Sequence, residues 1–309
     1  MPTPTVDYQV SIAPLNGSGT EFLLGPGTPY QIDKFLGLDL DDFRTDDLAR
    51  SGEHGTWGGR DLLGSRELVL GIYAFGTVGD AAASTSRSPS LAWSNMDDLV
   101  GAWAAAGLDL AQRSPNEPDM VLRFKAPGKP VRRFLGRARR VSRNDATVPF
   151  GYATTTLAFV ALDPRAYADA LESALVAVTG VTTGGLVFPA TFPATFGASS
   201  DGQVMVTNAG NFSTTPTMVV TGPIANPRID NLTDGTFIQV NIALAAGEPL
   251  TIDTANERVL LGGASRLNLL GVGSTFPRLS KGPSTLRLSG VVATGATPNL
   301  SVSWRSTWL

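Results

Sequence analysis

The chain has 309 residues, of which 42% are apolar and 17% are charged, and its formal net charge is −3. This length suggests about two globular domains, and the 34 glycines and 21 prolines favour turn-rich β-structure over long helices. The absence of cysteine excludes disulfide bonds and thiolate metal sites, and no apolar run approaches the ~18 residues of a membrane span.

The first residues, Met-Pro-Thr-Pro-Thr, lack the basic start and the apolar run of a secretory signal peptide. We therefore expect a protein that folds in a cytoplasm. Charged residues are concentrated in residues 1–163 and are sparser in 164–309. The two halves of the chain thus differ in composition, which agrees with two domains.

An acidic run is the first charged feature along the chain. Its members are Asp39, Asp41, Asp42, Asp46 and Asp47. The run lacks the D-x-D-x-D-G spacing and the final glutamate of an EF-hand calcium loop. A solvated loop is therefore favoured over a calcium site.

A glycine-rich stretch, Ser51–Arg60, leads into the apolar run 66–76. In that run Leu68, Leu70, Ile72 and Ala74 alternate with other residues, which predicts a strand with one buried face. The stretch contains His54, the single histidine, but no motif supplies catalytic or zinc-binding partners for it. We expect His54 to lie in a loop, and neither phosphate-loop pattern is present.

One helix is predicted over Trp93–Gly107. Ser94 or Asn95 would be its N-cap, and the glycine at its end would stop it. Its apolar residues recur at helical spacing, which indicates packing on a sheet rather than a cofactor site. These residues are Met96, Leu99, Val100 and Trp103.

Arginines are concentrated in Arg132–Arg143, where they are interleaved with apolar residues. They are Arg132, Arg133, Arg137, Arg139, Arg140 and Arg143. One interpretation is contact with nucleic-acid phosphates, which suit arginine. The favoured one is a strand pair whose arginines meet the acidic run of a neighbouring copy, as in a ring of identical subunits.

The chain changes character after residue 164. Tyr167, Leu171 and Leu175 are spaced four apart, which suggests a short helix within a linker, 165–185. The tandem repeat F-P-A-T-F-P-A-T-F follows at 188–196, and its prolines favour an extended segment at a sheet edge. We therefore divide the chain into residues 1–164, the linker, and residues 186–309.

The last hundred residues consist of short β-rich runs separated by Gly, Pro and Asn. The spacing of about 8–12 residues is typical of an antiparallel β-sandwich. A hairpin is predicted at Asp234–Gly235. Alternation predicts strands around Val204–Val206, Met218–Val220, Phe237–Ile242, Leu250–Ile252, Val259–Leu261 and Leu286–Leu288.

Three phrases in this half carry a family resemblance. They are N-A-G-N-F-S-T-T-P-T-M-V-V-T-G-P from Asn208, L-T-I-D-T-A-N-E-R-V-L-L-G-G from Leu250, and the final S-V-S-W-R-S-T-W-L. Together they resemble the galectin-like C-terminal domain of siphophage distal tail proteins. The F-P-A-T repeat and the glycine-rich stretch before the first long strand are similar to phrases of the same family.

The resemblance implies a mainly β protein. Its N-terminal domain would be β-rich, with one helix, and would form a ring; its C-terminal domain would be a galectin-like antiparallel β-sandwich. Such a protein is a structural part of the virion at the tail tip. It would form a homo-oligomeric ring, usually a hexamer, at the end of the tail tube, through which DNA passes without specific binding.

The implied partners are the tail tube protein, the tail-tip hub proteins and the receptor-binding proteins. The protein would not be an enzyme and would need no cofactor, no metal and no membrane. No residue is predicted to be catalytic, cofactor-binding or metal-binding.

Two other functions stay open. The first is a carbohydrate-binding module, for which Trp304 and Trp308 are candidate glycan platforms, although their alternation with polar residues equally suits a core and a core or interface position is favoured. The second is a glycosidase, which needs two carboxylates ~5–10 Å apart. The pairs Asp253 with Glu257 and Asp230 with Asp234 are near in sequence, but each lies at a predicted turn, where acidic residues are common.

Overall fold

A computed structural model describes residues 3–15, 21–39, 43–82, 86–108, 120–178 and 202–309. The chain forms two compact units, which divide between Asp169 and Ala170. The mainly β architecture with one α-helix in the described ranges confirms the predicted fold class. The F-P-A-T repeat, at 188–196, lies outside the described residues.

The N-terminal unit contains one helix and twelve strands within its described ranges. The strands are β1 (Val10–Pro14), β2 (Phe22–Leu24), β3 (Tyr30–Leu36), β4 (Phe43–Thr45), β5 (Leu48–Ala49), β6 (Thr56–Trp57), β7 (Asp61–Leu63), β8 (Arg66–Phe75), β9 (Met120–Phe124), β10 (Arg132–Asn144), β11 (Tyr152–Ala161) and β12 (Ala166–Ala168). The helix α1 spans Pro89–Leu108, and a 3-10 turn spans Val148–Phe150.

A single antiparallel sheet dominates this unit, in the order β2-β1-β9-β10-β11-β8-β3. The alternation predicted for β8 is confirmed, because Leu68, Leu70, Ile72 and Ala74 are all fully buried. The sheet curls until its ends meet: the rings of Phe22 in β2 and Tyr30 in β3 are 5.6 Å apart. The curled sheet therefore encloses an apolar interior.

Helix α1 packs on the inner face of this sheet. Met96, Leu99 and Trp103 are buried, as their spacing predicts, and the Trp103 ring lies 6.4 Å from that of Phe159 in β11. The predicted start at Trp93 is wrong, because the helix begins at Pro89, a residue favoured in the first helical turn. Asn95 is not a cap; its amide nitrogen donates to the backbone oxygens of Phe75 and Thr77.

The C-terminal unit is a sandwich of two antiparallel sheets. Its strands are β13 (Glu172–Ala177), β14 (Gln203–Asn208), β15 (Thr217–Thr221), β16 (Ile224–Asn231), β17 (Phe237–Gln239), β18 (Ala243–Leu244), β19 (Pro249–Asp253), β20 (Arg258–Leu261), β21 (Ala264–Ser265), β22 (Gly282–Val291), β23 (Asn299–Trp304) and β24 (Thr307–Trp308). A 3-10 turn spans Leu267–Leu269.

One sheet of the sandwich has the order β13-β23-β15-β19-β20-β21, and the other has β14-β22-β16-β17, with β18 beside β16. The two inner faces share one apolar core, which includes Met218, Leu250 and Val302 from the first sheet and Ile229 and Leu286 from the second. The predicted hairpin is present between β16 and β17, where Gly235 has a φ of 77°. This φ favours glycine.

The short helix predicted around Tyr167–Leu175 is wrong. Residues 166–168 form β12 and residues 172–177 form β13, so the described part of the predicted linker, up to residue 178, is largely strand. A spacing of four suits both a helix of 3.6 residues per turn and one face of a strand of period two. Pairing of β13 with β23 decides between them, and it leaves Leu171 and Leu175 exposed.

Candidate functional site

The arginine cluster does not form one uniform surface. Arg137 is only 8% exposed, and Arg132 and Arg133 are half-buried. Burial lowers the pKa of Arg132. Arg139 and Arg140 are exposed, because the register between β10 and β11 shifts at this point and leaves Arg139 as the extra residue of a bulge.

Arg143, the last arginine of the cluster, has a structural contact. Its guanidinium forms an ion pair with Asp97 of α1 and bonds Asp145 at 2.5 Å, and it lies 4.3 Å from the centre of the Trp93 ring. Burial acts to lower the pKa of Arg143, but the two carboxylates outweigh burial and raise it. Arg143 therefore links α1 to strand β10 of the sheet.

A second polar cluster closes the end of β11. The Asp163 carboxylate accepts hydrogen bonds from Arg165 Nε at 2.8 Å and Arg165 Nη2 at 2.6 Å, and from the Tyr167 hydroxyl at 2.5 Å. Burial alone would raise the pKa of Asp163, yet these hydrogen bonds lower it below its usual value. Burial also raises the pKa of Tyr167, so Tyr167 remains a donor.

The acidic run is only partly described. Asp39, Asp46 and Asp47 are exposed, whereas Asp41 and Asp42 lie outside the described residues. Asp47 Oδ1 accepts the Gly59 backbone N–H at 2.8 Å. The structure therefore brings Asp47 to the glycine-rich stretch of its own chain.

Residues 43–63 form a feature that the sequence analysis missed, a β-arm between β3 and β8. It consists of two short ladders, β4 with β7 and β5 with β6. Leu48 and Trp57 are directly opposite each other in the second ladder, and they are 70% and 63% exposed. Two short runs flanking Ser51–Gly55 could have indicated a hairpin, but nothing in the sequence shows that its apolar side chains stay uncovered.

An apolar cavity of about 570 Å³ opens at the seam of the curled sheet, between β3 on one side and β1 and β9 on the other. Its lining includes Val10, Ile32, Phe35, Leu38 and Phe124, together with two prolines. The rings of Phe35 and Phe124 lie 5.7 Å apart, edge to face. The cavity was also not predicted, because its walls come from strands distant in sequence.

The proposed glycan platforms are not both exposed. Trp304 is 6% exposed and belongs to the sandwich core, and its ring nitrogen donates to the Thr207 oxygen at 3.0 Å. Trp308 is half-buried. Trp304 therefore takes the core position that its alternation with polar residues favoured, and it offers no exposed platform.

A polar row crosses the outer face of the second sheet of the sandwich. Gln203, Arg287, Asp230 and Phe237 are in register on four adjacent strands. Asp230 accepts Arg228 Nε at 2.7 Å and Arg287 Nη2 at 3.1 Å. The Arg228 guanidinium also lies 3.7 Å from the centre of the Phe237 ring, so Asp230 and this ring hold the Arg228 guanidinium in place.

Of the carboxylates considered for hydrolysis, Asp253 and Asp234 have turn roles, whereas Asp230 lies in β16 and not at the predicted turn. Asp253 accepts hydrogen bonds from the Ala255 and Asn256 backbone, and Asp234 accepts that of Thr236. His54 is exposed in the β-arm. Among the described residues, no cluster of acidic or histidine side chains could hold a metal ion, and no described helix is long and apolar enough to span a membrane.

With this geometry established, comparison with known proteins identifies the C-terminal unit. Residues 209–308 match the family model described as "Siphovirus-type tail component, C-terminal domain". The chain thus carries the C-terminal domain of a siphovirus-type tail component. The resemblance seen in the sequence to distal tail proteins is thereby confirmed, and this places the protein in the virion tail.

The tail component also has the fold of the Dit protein (gp 19.1) of phage SPP1. The two chains are 16% identical, with a TM-score of 0.60, over 97% of this chain and 99% of that one. Dit is described as a paradigm of the hub adsorption apparatus in phages that infect Gram-positive bacteria. The similarity covers both units.

Two structures of the phage P2 baseplate in its activated conformation are more distant from the tail component. The one with Ca is 11% identical over 96% of this chain and 98% of that one, and the one with Sr is 12% identical over the same shares. Both have a TM-score of 0.46. No curated protein sequence matches the tail component significantly.

Proposed function

We propose that this tail component is the distal tail protein of a long-tailed phage, made in the host cytoplasm and assembled as a ring of six copies at the end of the tail tube. The observation that carries this proposal is the fold, shared with SPP1 Dit over nearly the whole of both chains. The N-terminal unit forms the ring, and the galectin-like C-terminal sandwich projects from it.

The role is geometric. The ring joins the tail tube protein on one side to tail-tip hub and receptor-binding proteins on the other, and DNA passes through its channel without specific binding. No bond is made or broken, so the protein is not an enzyme. The dispersal of the arginines among buried, paired and exposed positions favours this over a nucleic-acid surface.

The ring is tested by light scattering of the purified protein over a range of concentrations, with negative-stain images of the same sample. A closed particle near six protomers is the expected result. A protein that stays monomeric at every concentration, and also fails to add to the end of purified tail tubes, would refute the ring.

Opposite charges suggest one contact within the ring. The candidate interface comprises the acidic run and five arginines, Arg132, Arg133, Arg137, Arg139 and Arg140, of which Arg139 and Arg140 are the most exposed. Among the described acids, Asp46 and Asp47 are exposed on the β-arm. We infer that these two pairs of residues meet between neighbouring copies, with different surfaces facing each other, as a ring requires.

Charge reversal tests this contact. Arg139→Glu with Arg140→Glu is expected to weaken ring formation at low salt, because like charges then face each other. Adding Asp46→Lys and Asp47→Lys to the same chain should restore the ring. Rings that form equally well in the first variant would show that this contact is absent.

A carbohydrate-binding role remains a second candidate, favoured by the polar row on the sandwich. Held guanidinium, carboxylate and amide groups beside an aromatic ring are suited to sugar hydroxyls, and Arg287 is 42% exposed at its side chain. Binding to a glycan array that is lost in Arg287→Ala and retained in the exposed control Val272→Ala would support it. A chain that binds no glycan would exclude it.

A further inference from the structure

The β-arm, residues 43–63, exposes apolar surface that its own unit does not cover. Leu48 and Trp57 form a cross-strand pair, each more than half exposed, and Leu62 near the base is 41% exposed. A contiguous exposed apolar patch of this kind commonly marks an interaction site. The Arg50 guanidinium, 4.4 Å from the centre of the Trp57 ring, covers part of that ring.

The ladders of the β-arm are too short to be stable alone. The β5–β6 ladder has two residue pairs and the β4–β7 ladder has three, whereas an isolated two-stranded hairpin is at best marginally stable in water. Packing of the exposed face against another surface would supply the missing stabilisation. The β-arm is therefore expected to adopt its final state in contact with another molecule.

The seam cavity has the size and the apolar lining to receive exposed side chains such as those of the β-arm. Its volume of about 570 Å³ lies in the range of ~300–1,000 Å³ that is typical of binding pockets. Aromatic and aliphatic side chains form most of its wall, and Leu38 at its edge is 41% exposed. It can accept one or two large apolar side chains.

The charges beside these two surfaces also match. On the β-arm, Asp47 precedes Leu48, and Arg50 lies over Trp57. At the cavity, the exposed neighbours Asp33 and Lys34 present one charge of each sign. Asp33 suits Arg50, so an inserted apolar pair can be flanked by an ion pair, while Asp47 stays available to Arg139 or Arg140.

We propose that the β-arm of one copy inserts Leu48 and Trp57 into the seam cavity of the next copy. This inference rests on the proposed ring and names the surfaces that join its subunits. The contact is heterologous, because the β-arm and the cavity are different surfaces of the same chain, and a heterologous contact repeated by a fixed rotation closes into a ring.

The absence of native cysteine allows a direct test by cross-linking. Leu48→Cys and Leu38→Cys are made as two separate single variants of the full chain, and the two are mixed and oxidised. A disulfide-linked dimer is expected in the mixture but not in either variant alone. The double variant should give a ladder of linked chains that ends at the ring number.

The control is the mixture of Leu48→Cys with Val272→Cys, whose substituted residue is fully exposed on the other unit. No cross-link is expected there. Rings that form without a Leu48–Leu38 cross-link, or with equal cross-linking in the control, would overturn the β-arm contact and leave the ring intact. Chains that form neither rings nor cross-links would overturn both proposals.

Trp57→Ser provides an independent readout. It should weaken association on the order of thirtyfold, as is typical for loss of a buried aromatic anchor at an interface. Because Trp57 is exposed within its own unit, the urea midpoint of the monomer should not change. Association as strong as that of the unsubstituted chain would refute the proposal.

Discussion

Asp163→Asn should destabilise the N-terminal unit and alter how its stability depends on pH. The carboxylate accepts hydrogen bonds from Arg165 Nη2 and Nε at 2.6 and 2.8 Å, from the Arg165 backbone N–H at 3.1 Å and from the Tyr167 hydroxyl at 2.5 Å. Hydrogen bonds to charged groups contribute ~1.5–3 kcal/mol each when buried. The Asp163 and Arg165 side chains are 31% and 25% exposed, so we expect a total loss of about 2 kcal/mol at neutral pH.

The sign of the pH dependence follows from the lowered pKa of Asp163 in the folded chain. The ionised carboxylate contributes its full stability above the unfolded pKa of about 3.9. This contribution is lost as the pH falls through the lower pKa of the folded state. The difference between Asp163→Asn and the unsubstituted chain should thus be large at pH 7 and should shrink below pH 4.

Urea unfolding of the full chain at pH 7, 5 and 3, followed by tryptophan fluorescence, measures this difference. Glu53→Gln is the matched control, because Glu53 is exposed and its loss should leave the midpoint unchanged. A variant as stable as the unsubstituted chain at pH 7, or a deficit that does not change with pH, would refute the assigned role of Asp163.

Three further substitutions test the packing by urea midpoint. Gly76→Ala should lower the free energy of unfolding by about 1–3 kcal/mol, because a Cβ there would lie 1.9 Å from the Ser88 backbone oxygen. An unchanged midpoint would contradict that close approach. Gly101→Ala in α1 should instead raise the free energy of unfolding by about 0.5–1 kcal/mol, because Gly101 is exposed and an added Cβ would meet no other atom. A lower urea midpoint would contradict this expectation. Asp230→Asn should lower the free energy of unfolding by about 1–2 kcal/mol, because the Asp230 side chain is only 10% exposed and lies between two arginines. An unchanged midpoint would show that those ion pairs contribute nothing to stability.

Alternation predicted the strands of the sandwich well, because each strand has one face in a shared core and the other in water. Met218 and Val220 in β15, for example, are fully buried, and Leu286 and Leu288 in β22 likewise. The same logic holds at Trp304, which alternates with serines and shares the buried face of β23 with Leu300 and Val302.

The β-arm and the cavity, by contrast, could not be predicted. Phe35 and Phe124 meet only because the sheet curls until its ends approach each other, and such long-range closure has no local signal in the chain. The arginine cluster was only partly understood as well. A one-residue bulge at Arg139 decides which arginines reach solvent, and bulges follow from strand pairing rather than from composition.

The dependence of ring stability on salt distinguishes between the two contacts proposed for the ring. The pairs between Arg139 or Arg140 and Asp46 or Asp47 are exposed, and exposed ion pairs contribute only ~0–1 kcal/mol each. At 1 M NaCl the Debye length falls to ~3 Å, which screens them almost completely. Burial of Trp57 in an apolar cavity is not screened, and sulfate strengthens it.

The ring should therefore persist in 1 M NaCl, assemble more slowly there because charge no longer steers the encounter, and be stabilised by sodium sulfate. Light scattering at fixed protein concentration across both salts checks this. Dissociation in NaCl at a concentration where sulfate has no effect would mean that charge alone holds the subunits together. In that case burial of the apolar side chains of the β-arm would not contribute to the stability of the ring.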